Sequence, residues 1–179
     1  MATRRDEAES AVIVPVELPV AVRRLRDRMD PLAAVGVPAH VTLLYPFLPP
    51  DRLDDSASQT VERIVAAQPR FTFALTRMGR WPDVVYLAPE PEEPFQRLIA
   101  ALSEAFPEYP PYRGAHPDVV PHVTIAQDPR PEYLAAAEHA LPALLPIRAV
   151  AREVWLIAHA GEHPWAVHSR TPLGAGASR

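Results

Sequence analysis

This chain contains two copies of a tetrapeptide in which a histidine is followed, two residues later, by a threonine. Residues 40–43 read His-Val-Thr-Leu, and residues 122–125, which begin 82 positions later, read His-Val-Thr-Ile. The aliphatic residues of each copy predict a short strand, and the two-residue period of a strand places its His and Thr on one face. A hydroxyl can donate a hydrogen bond to an anion, and an imidazole can take or give a proton near neutral pH. Each copy is suited to bind a charged oxygen and move a proton beside it.

The repetition of the motif favours a functional role for its histidines over a purely structural one. The chain has seven histidines, and a single His-x-Thr sequence among them would most simply be structural. Both copies, however, have an aliphatic fourth residue and a nearby upstream proline, Pro38 or Pro121. We therefore take His40, Thr42, His122 and Thr124 as the candidate catalytic residues.

Two such motifs facing each other would supply both a base and an acid. General acid–base catalysis requires one group to take a proton and another to give one, and each transfer contributes on the order of 10²–10⁴-fold in rate. One histidine must start neutral and the other charged, which predicts a bell-shaped pH dependence. The sequence leaves open which is the base.

Composition restricts the chemistry further. The 179 residues include no cysteine, and all 18 basic residues are arginines. Thiolate nucleophiles, cysteine-based metal sites and lysine Schiff bases are therefore excluded. The net charge of −4 argues against a broad footprint on duplex DNA, although a small or terminal phosphate remains a suitable partner.

We expect a soluble cytoplasmic protein. The apolar run at residues 11–14 is too short for a secretory signal, and acidic residues and prolines surround it. No segment approaches the roughly 18 apolar residues of a membrane span.

The elements around the motifs repeat along with them. Apolar spacing predicts strands at 11–18, 40–45 and 153–159, a hairpin over 71–88, helices over 21–29, 51–68 and 94–106 and from 131 onward, and a last strand at 165–170. The proline-rich segment 89–94 is interpreted as a linker. This layout predicts one domain over residues 1–179, with a duplicated lobe at 11–88 and another at 94–174.

The paired motifs, their spacing and the run from His40 to Phe47 resemble the two-histidine (2H) phosphoesterase superfamily, in its 2′-5′ RNA ligase-like branch. The resemblance implies a bilobal α+β fold, with two antiparallel sheets around a central cleft and helices outside. It implies opening of 2′,3′-cyclic phosphates of nucleotides or RNA ends without a metal or other cofactor. We expect a monomer, although the sequence does not fix the oligomeric state. His40 and His122 would be the acid and base, and Thr42 and Thr124 would hold the phosphate. A 2′-5′ RNA ligase or 2′-5′ phosphodiesterase activity is the alternative within the branch.

One position departs from that pattern. Many members of this branch have an arginine three residues after the second motif threonine, where this chain has Gln127. Because glutamine cannot neutralise a phosphate, hydrolysis of a small cyclic phosphate is favoured over ligation. Arg113, or Arg77 and Arg80, could supply the missing charge.

Aromatic side chains could hold a base by stacking. The candidates are Tyr45, Trp81, Tyr86, Tyr112 and Trp165. Packing is the simpler interpretation of each, but Trp81 lies in the predicted hairpin turn. We take Tyr45, Trp81, Arg113 and Gln127 as the candidate substrate-binding residues, and His116 as the other histidine near a motif.

Two other classes of function remain open. A metallohydrolase would use both motif histidines as ligands, but neither motif contains a carboxylate or a second histidine at ligand spacing. Asp118 and Asp128 lie near the second motif without counterparts near the first. A non-catalytic binder of RNA ends or phosphorylated small molecules would use the same residues.

Overall fold

The computed structural model describes residues 8–115, 118–128, 130–161 and 163–174. Eight strands and five α-helices lie in these segments. In chain order they are β1 (Glu9–Pro15), α1 (Val20–Met29), α2 (Pro31–Ala34), β2 (His40–Leu44), α3 (Asp55–Ala67), β3 (Phe71–Trp81), β4 (Val84–Glu90), α4 (Glu93–Ala105), β5 (Val123–Gln127), α5 (Pro131–Ala140), β6 (Ile147–Ala151), β7 (Glu153–His159) and β8 (Ala166–Pro172). Short 3₁₀ helices cover Pro50–Arg52, Pro111–Gly114 and Leu141–Leu144.

Local sequence explains where the main helices begin and which side they bury. The Asp54 carboxylate accepts a hydrogen bond from the Ala57 backbone N–H at 2.8 Å, which caps α3. The predicted helix over 51–68 is therefore shorter, because a separate 3₁₀ turn precedes this cap. In α4 the buried apolar residues recur at helical spacing, namely Phe95, Leu98, Ile99 and Leu102.

The strands form two four-stranded antiparallel sheets. Sheet one has the order β2-β1-β7-β8, and sheet two has the order β5-β4-β3-β6. This confirms the expected α+β fold. Both motif strands, β2 and β5, are edge strands of their sheets, and they lie against each other.

Each sheet combines strands from both halves of the chain. β3 and β4 pair in sheet two with β5 and β6, whereas β7 and β8 pair in sheet one with β1 and β2. The expected lobes at 11–88 and 94–174 therefore do not coincide with the sheets. The repeated unit is better described as strand, helix, motif strand, helix and a strand that pairs in the other sheet. That last strand is β3 in the first unit and β7 in the second, where β6 is inserted before it.

Two other expectations need correction. Residues 89–94 do not form a linker, because β4 continues to Glu90 and α4 begins at Glu93. The strand β6 was not predicted, since it is short and follows a proline-rich turn.

The main hydrophobic core fixes the direction of the motif side chains. Val41, Leu43, Val123 and Ile125 are fully buried in this core. Because neighbouring strand residues point to opposite faces, His40, Thr42, His122 and Thr124 point away from the core and are half-buried. We call this side of each sheet the cleft face.

None of the helices in the described segments is long and apolar enough to cross a bilayer.

Candidate active site

A β-bulge interrupts each motif strand at the fourth motif residue. In sheet one Thr42 lies opposite Ile13 and Leu44 opposite Val12, so Leu43 has no partner of its own. In sheet two Thr124 lies opposite Tyr86 and Ala126 opposite Val85, so Ile125 is the extra residue. Each bulge buries two consecutive aliphatic residues and returns the next residue, Tyr45 or Gln127, to the cleft face.

Both motif histidines are held in the same way. His40 Nδ1 lies 2.7 Å from the carbonyl oxygen of Pro38, and His122 Nδ1 lies 2.7 Å from that of Val120. Because a carbonyl only accepts, each neutral ring carries its proton on Nδ1 and its lone pair on Nε2. Each Nε2 is thus prepared to take a proton or, once charged, to give one.

Burial disfavours the charged form of both motif histidines. Burial, together with the charges of Arg26 and His122, lowers the pKa of His40 to about 4 despite the opposing hydrogen bond to Pro38. Burial also lowers the pKa of His122, against its hydrogen bond to Val120. At pH 7 the free protein therefore has two neutral motif histidines, and a bound anion would be needed to charge one of them.

His122 lies against an aromatic pair. Its ring centroid is 4.7 Å from that of Trp81 and 5.5 Å from that of Tyr86, and Trp81 and Tyr86 stack at 4.1 Å. Gly79 makes room for this pair, since a Cβ there would overlap the Tyr86 ring. Trp81 is the last residue of β3 rather than a turn residue, so it reaches His122 from a strand.

Thr42 is contacted by a residue of the loop before the second motif. The hydroxyl of Tyr112 is hydrogen-bonded to the Thr42 side chain, and burial raises the pKa of Tyr112. Tyr112 and Arg113 have φ angles of 52° and 57°, a left-handed conformation that is costly for residues with a Cβ. The Tyr112 N–H donates to the carbonyl of Tyr45, which ties this strained turn to the end of the first motif strand.

Tyr45 and Arg113 are both engaged by a buried carboxylate. The Tyr45 hydroxyl donates to Glu9 at 2.6 Å, and the Arg113 guanidinium lies 3.5 Å from the same carboxylate. His159 Nε2 lies 3.8 Å from it. These contacts indicate that Tyr45 and Arg113 support the loop carrying Tyr112. Their role in substrate binding stays a prediction, and Gln127 lies on the cleft face at the end of β5.

The two arginines of β3 point to opposite sides of sheet two. Arg80 forms an ion pair with Glu138 of α5 at 2.9 Å, on the helix side. Arg77 lies opposite Ala88 of β4, and Ala88 follows Leu87, which pairs with Val123. Continued by one residue, this register places Ala88 beside His122. Since Met78, between the two arginines, packs on the core, Arg77 lies on the cleft face, where it is exposed.

Sequence reasoning missed the buried Arg26. Its guanidinium donates to the Val37 carbonyl at 3.0 Å and pairs with Asp30 at 2.7 Å, with both side chains almost fully buried. Burial raises the pKa of Asp30, against the lowering effect of Arg26. The signal was present, because Val22, Arg26 and Met29 follow the helical spacing of a buried stripe.

Within the described segments, no three His, Cys, Asp or Glu side chains come together as metal ligands would. His116 falls outside those segments.

Comparison with known proteins identifies the family. Residues 14–163 match the model of the 2′-5′ RNA ligase superfamily. A protein from Geobacillus kaustophilus (strain HTA426), described as a candidate phosphoesterase, is 31% identical over 107 residues, a match that spans 58% of each chain. The matched region is thus little more than half the length of this relative.

Similar solved structures share the fold. TT0787 of Thermus thermophilus has a TM-score of 0.60 at 21% identity, with 93% of this chain and 98% of that one covered. Escherichia coli LigT, solved with 3′-AMP, has a TM-score of 0.58 at 19% identity, covering 94% and 99%. Kluyveromyces marxianus Usb1 has a TM-score of 0.51 at 17% identity, covering 96% and 100%. The match to the family model over most of the chain shows that this protein belongs to the 2′-5′ RNA ligase superfamily of two-histidine phosphoesterases.

Proposed function

We propose that the protein is a metal-independent phosphodiesterase that opens 2′,3′-cyclic phosphates of nucleotides or RNA ends. One observation carries this proposal. His40, the first residue of β2, and His122, immediately before β5, are each anchored through Nδ1 at 2.7 Å to a backbone carbonyl, and each has a threonine two residues later. A base and an acid flanked by hydroxyl donors are what in-line hydrolysis of a phosphodiester requires.

In the proposed reaction, water attacks phosphorus while one Nε2 takes its proton. The bond from phosphorus to one ring oxygen of the cyclic ester breaks, and the other histidine donates its Nε2 proton to that sugar oxygen. Thr42 and Thr124 donate hydrogen bonds to the non-bridging oxygens, where negative charge accumulates in the transition state. Tyr112 orients the Thr42 hydroxyl through its hydrogen bond.

The surroundings of the two histidines support different roles for them. The charge of Arg26 disfavours a second positive charge on His40, which suits a base. His122 lies beside the π-systems of Trp81 and Tyr86, which favour a nearby cation. We therefore assign His40 as the base and His122 as the acid. Hydrolysis of an aryl phosphodiester, whose leaving group needs no proton, distinguishes the two roles. His122→Ala should slow this reaction less than His40→Ala does. Equal losses of rate in the two variants would contradict the assignment.

Arg77 supplies the positive charge that Gln127 cannot provide. It lies two strands from His122 on the cleft face, with the small residue Ala88 between them. Strands are about 4.8 Å apart, so the backbone separation is about 10 Å, which an arginine side chain and a bound phosphate can span.

The central experiment measures turnover of 2′,3′-cyclic nucleotides and of a short RNA ending in a cyclic phosphate, with chelator present. We expect turnover by the parent and a loss on the order of 10²–10⁴-fold in both His40→Ala and His122→Ala. His139→Ala is the control, because this histidine is exposed on α5. Product analysis identifies the ester bond that breaks.

Three outcomes would contradict the proposal. Loss of activity on chelation would favour a metallohydrolase. Joining or cleavage of 2′-5′-linked RNA, without hydrolysis of cyclic phosphates, would favour the ligase-type alternative. Binding of RNA ends that survives both His→Ala substitutions, with no turnover by the parent, would favour a non-catalytic binder.

A further inference from the structure

A row of side chains crosses the cleft face of sheet one from the first motif to the far edge strand. Thr42 on β2 lies opposite Ile13 on β1, Ile13 lies opposite Trp155 on β7, and Trp155 lies opposite Arg170 on β8. Residues directly opposite each other in adjacent strands point to the same face. Trp155 and Arg170 thus share a face with the catalytic threonine.

The last two residues of this row form a stacked pair. The guanidinium carbon of Arg170 lies 4.3 Å from the ring centroid of Trp155. The indole is itself fixed, because its Nε1–H donates to Glu153 at 2.6 Å and its ring packs on the small cluster that contains Ile13. Arg170 is exposed, and no carboxylate of the described segments forms an ion pair with it.

A stacked guanidinium is prepared to bind a phosphate. A guanidinium that stacks on an aromatic ring keeps its N–H edge free, in the fork geometry that matches two phosphate oxygens. Three strand spacings of about 4.8 Å put Arg170 about 14 Å from Thr42 across the sheet. A phosphate held at Thr42 cannot also reach Arg170, so a ligand that contacts both must carry a second phosphate.

We propose that Trp155 and Arg170 form a subsite for a backbone phosphate of the RNA strand, on the 5′ side of the reacting 3′ end. The substrate class is then an RNA oligonucleotide with a terminal cyclic phosphate, in preference to a cyclic mononucleotide, which has one phosphate only. This inference rests on the proposed function of the site formed by His40 and His122.

The test compares kcat/KM for 2′,3′-cyclic CMP with kcat/KM for an RNA tetranucleotide ending in a 2′,3′-cyclic phosphate. We expect the parent to prefer the tetranucleotide, and Arg170→Ala to reduce the ratio of the two values by roughly ten- to hundredfold, through KM for the RNA. The slope of log kcat/KM for the RNA against log salt should become shallower by about 0.7, as for one lost phosphate contact on a single strand. Trp155→Leu should lower the same ratio, because it removes the surface that holds the guanidinium.

The matched control is Arg97→Ala, which removes one exposed arginine from α4. It should leave the ratio and the salt slope at the parent values. An Arg170→Ala variant that behaves like this control overturns the subsite, while turnover of cyclic CMP by the parent leaves the proposed function standing.

A binding measurement separates the two hypotheses if the parent turns over neither substrate. Fluorescence anisotropy with a labelled RNA tetranucleotide carrying a 3′-phosphate reports the subsite without catalysis. Weaker binding by Arg170→Ala than by Arg97→Ala supports the subsite, and equal binding by the two variants rejects it.

Discussion

Leu43 and Ile125 occupy equivalent positions, because each is the extra residue of a β-bulge in its motif strand. Both are fully buried in the main core. This relationship explains why the fourth motif residue is aliphatic. Its buried side chain anchors the bulge, and the bulge places the residue two positions later, Tyr45 or Gln127, on the cleft face. The two motifs are therefore alike in backbone geometry as well as in residue type.

The pH dependence of kcat/KM should be bell-shaped with an acidic optimum. Activity requires neutral His40, whose pKa is about 4, and charged His122, whose pKa is lowered by burial. Since kcat/KM reports the groups of the free enzyme, the active window should lie between about pH 4 and a limit below 6.5. A profile of cyclic nucleotide hydrolysis that keeps rising into alkaline pH would rule out this assignment.

Removing the charge of Arg77 should weaken phosphate binding. Arg77→Gln should raise KM for a cyclic nucleotide roughly tenfold, since a charge-assisted contact is lost. Adding Gln127→Arg to this variant should recover much of the loss, because Gln127 lies on the same cleft face. Steady-state kinetics of the single and double variants measure both effects.

Arg80→Gln is the control for that series. Arg80 lies three residues further along the same strand but pairs with Glu138 on the helix side. An equal rise in KM in Arg80→Gln would mean that net charge, rather than the position of Arg77, is responsible.

The motif histidines should make the folded protein less stable in acid. In the unfolded chain His40 binds a proton near pH 6.5, whereas in the folded protein it resists protonation down to about pH 4. The unfolded state therefore binds more protons in this window, and the free energy of unfolding should fall as the pH is lowered through it, by on the order of 2 kcal/mol for His40. Urea unfolding at several pH values checks this.

A variant identifies the source of the effect. His40→Asn should flatten the pH dependence between pH 6.5 and about 4, whereas the exposed His139→Asn should leave it as in the parent. The same slope in all three proteins would show that His40 is not responsible.

Gly79→Ala should disturb the aromatic pair beside His122. The new Cβ would meet the Tyr86 ring, whose displacement moves the surface against which Trp81 and His122 pack. Because a side chain rather than the backbone must shift, the protein should still fold while kcat/KM falls roughly ten- to hundredfold. Tyr86→Phe, which keeps the ring, should retain most activity, and unchanged kinetics in Gly79→Ala would show that the ring position is unimportant.

The sequence was sufficient for those features that depend on local pattern. The two-residue period placed His40 with Thr42, and His122 with Thr124, on one face. Helical spacing located α1, α3, α4 and α5 to within a few residues. The absence of lysine and cysteine restricted the chemistry without any structure. Each of these inferences uses neighbours within a few positions, where geometry follows directly from the backbone, or composition alone.

Other features were decided by contacts between distant parts of the chain. β3 belongs to the first half of the chain but pairs in sheet two, and β7 belongs to the second half but pairs in sheet one. No local sequence pattern encodes this pairing, so the sequence could not show which strands belong to which sheet. Tyr45 forms a hydrogen bond and Arg113 an ion pair with Glu9, which lies far from both in sequence.

The chemistry of the histidines also needed the tertiary structure. The sequence determined that two imidazoles and two hydroxyls would be presented in pairs, but a pKa depends on the groups that remove water and the charges that lie nearby. The buried Arg26 lies close enough to act on the pKa of His40, while aromatic rings surround His122, so the two imidazoles differ in environment. Only the folded chain brings these groups together, because desolvation and Coulomb interactions act through space rather than along the sequence.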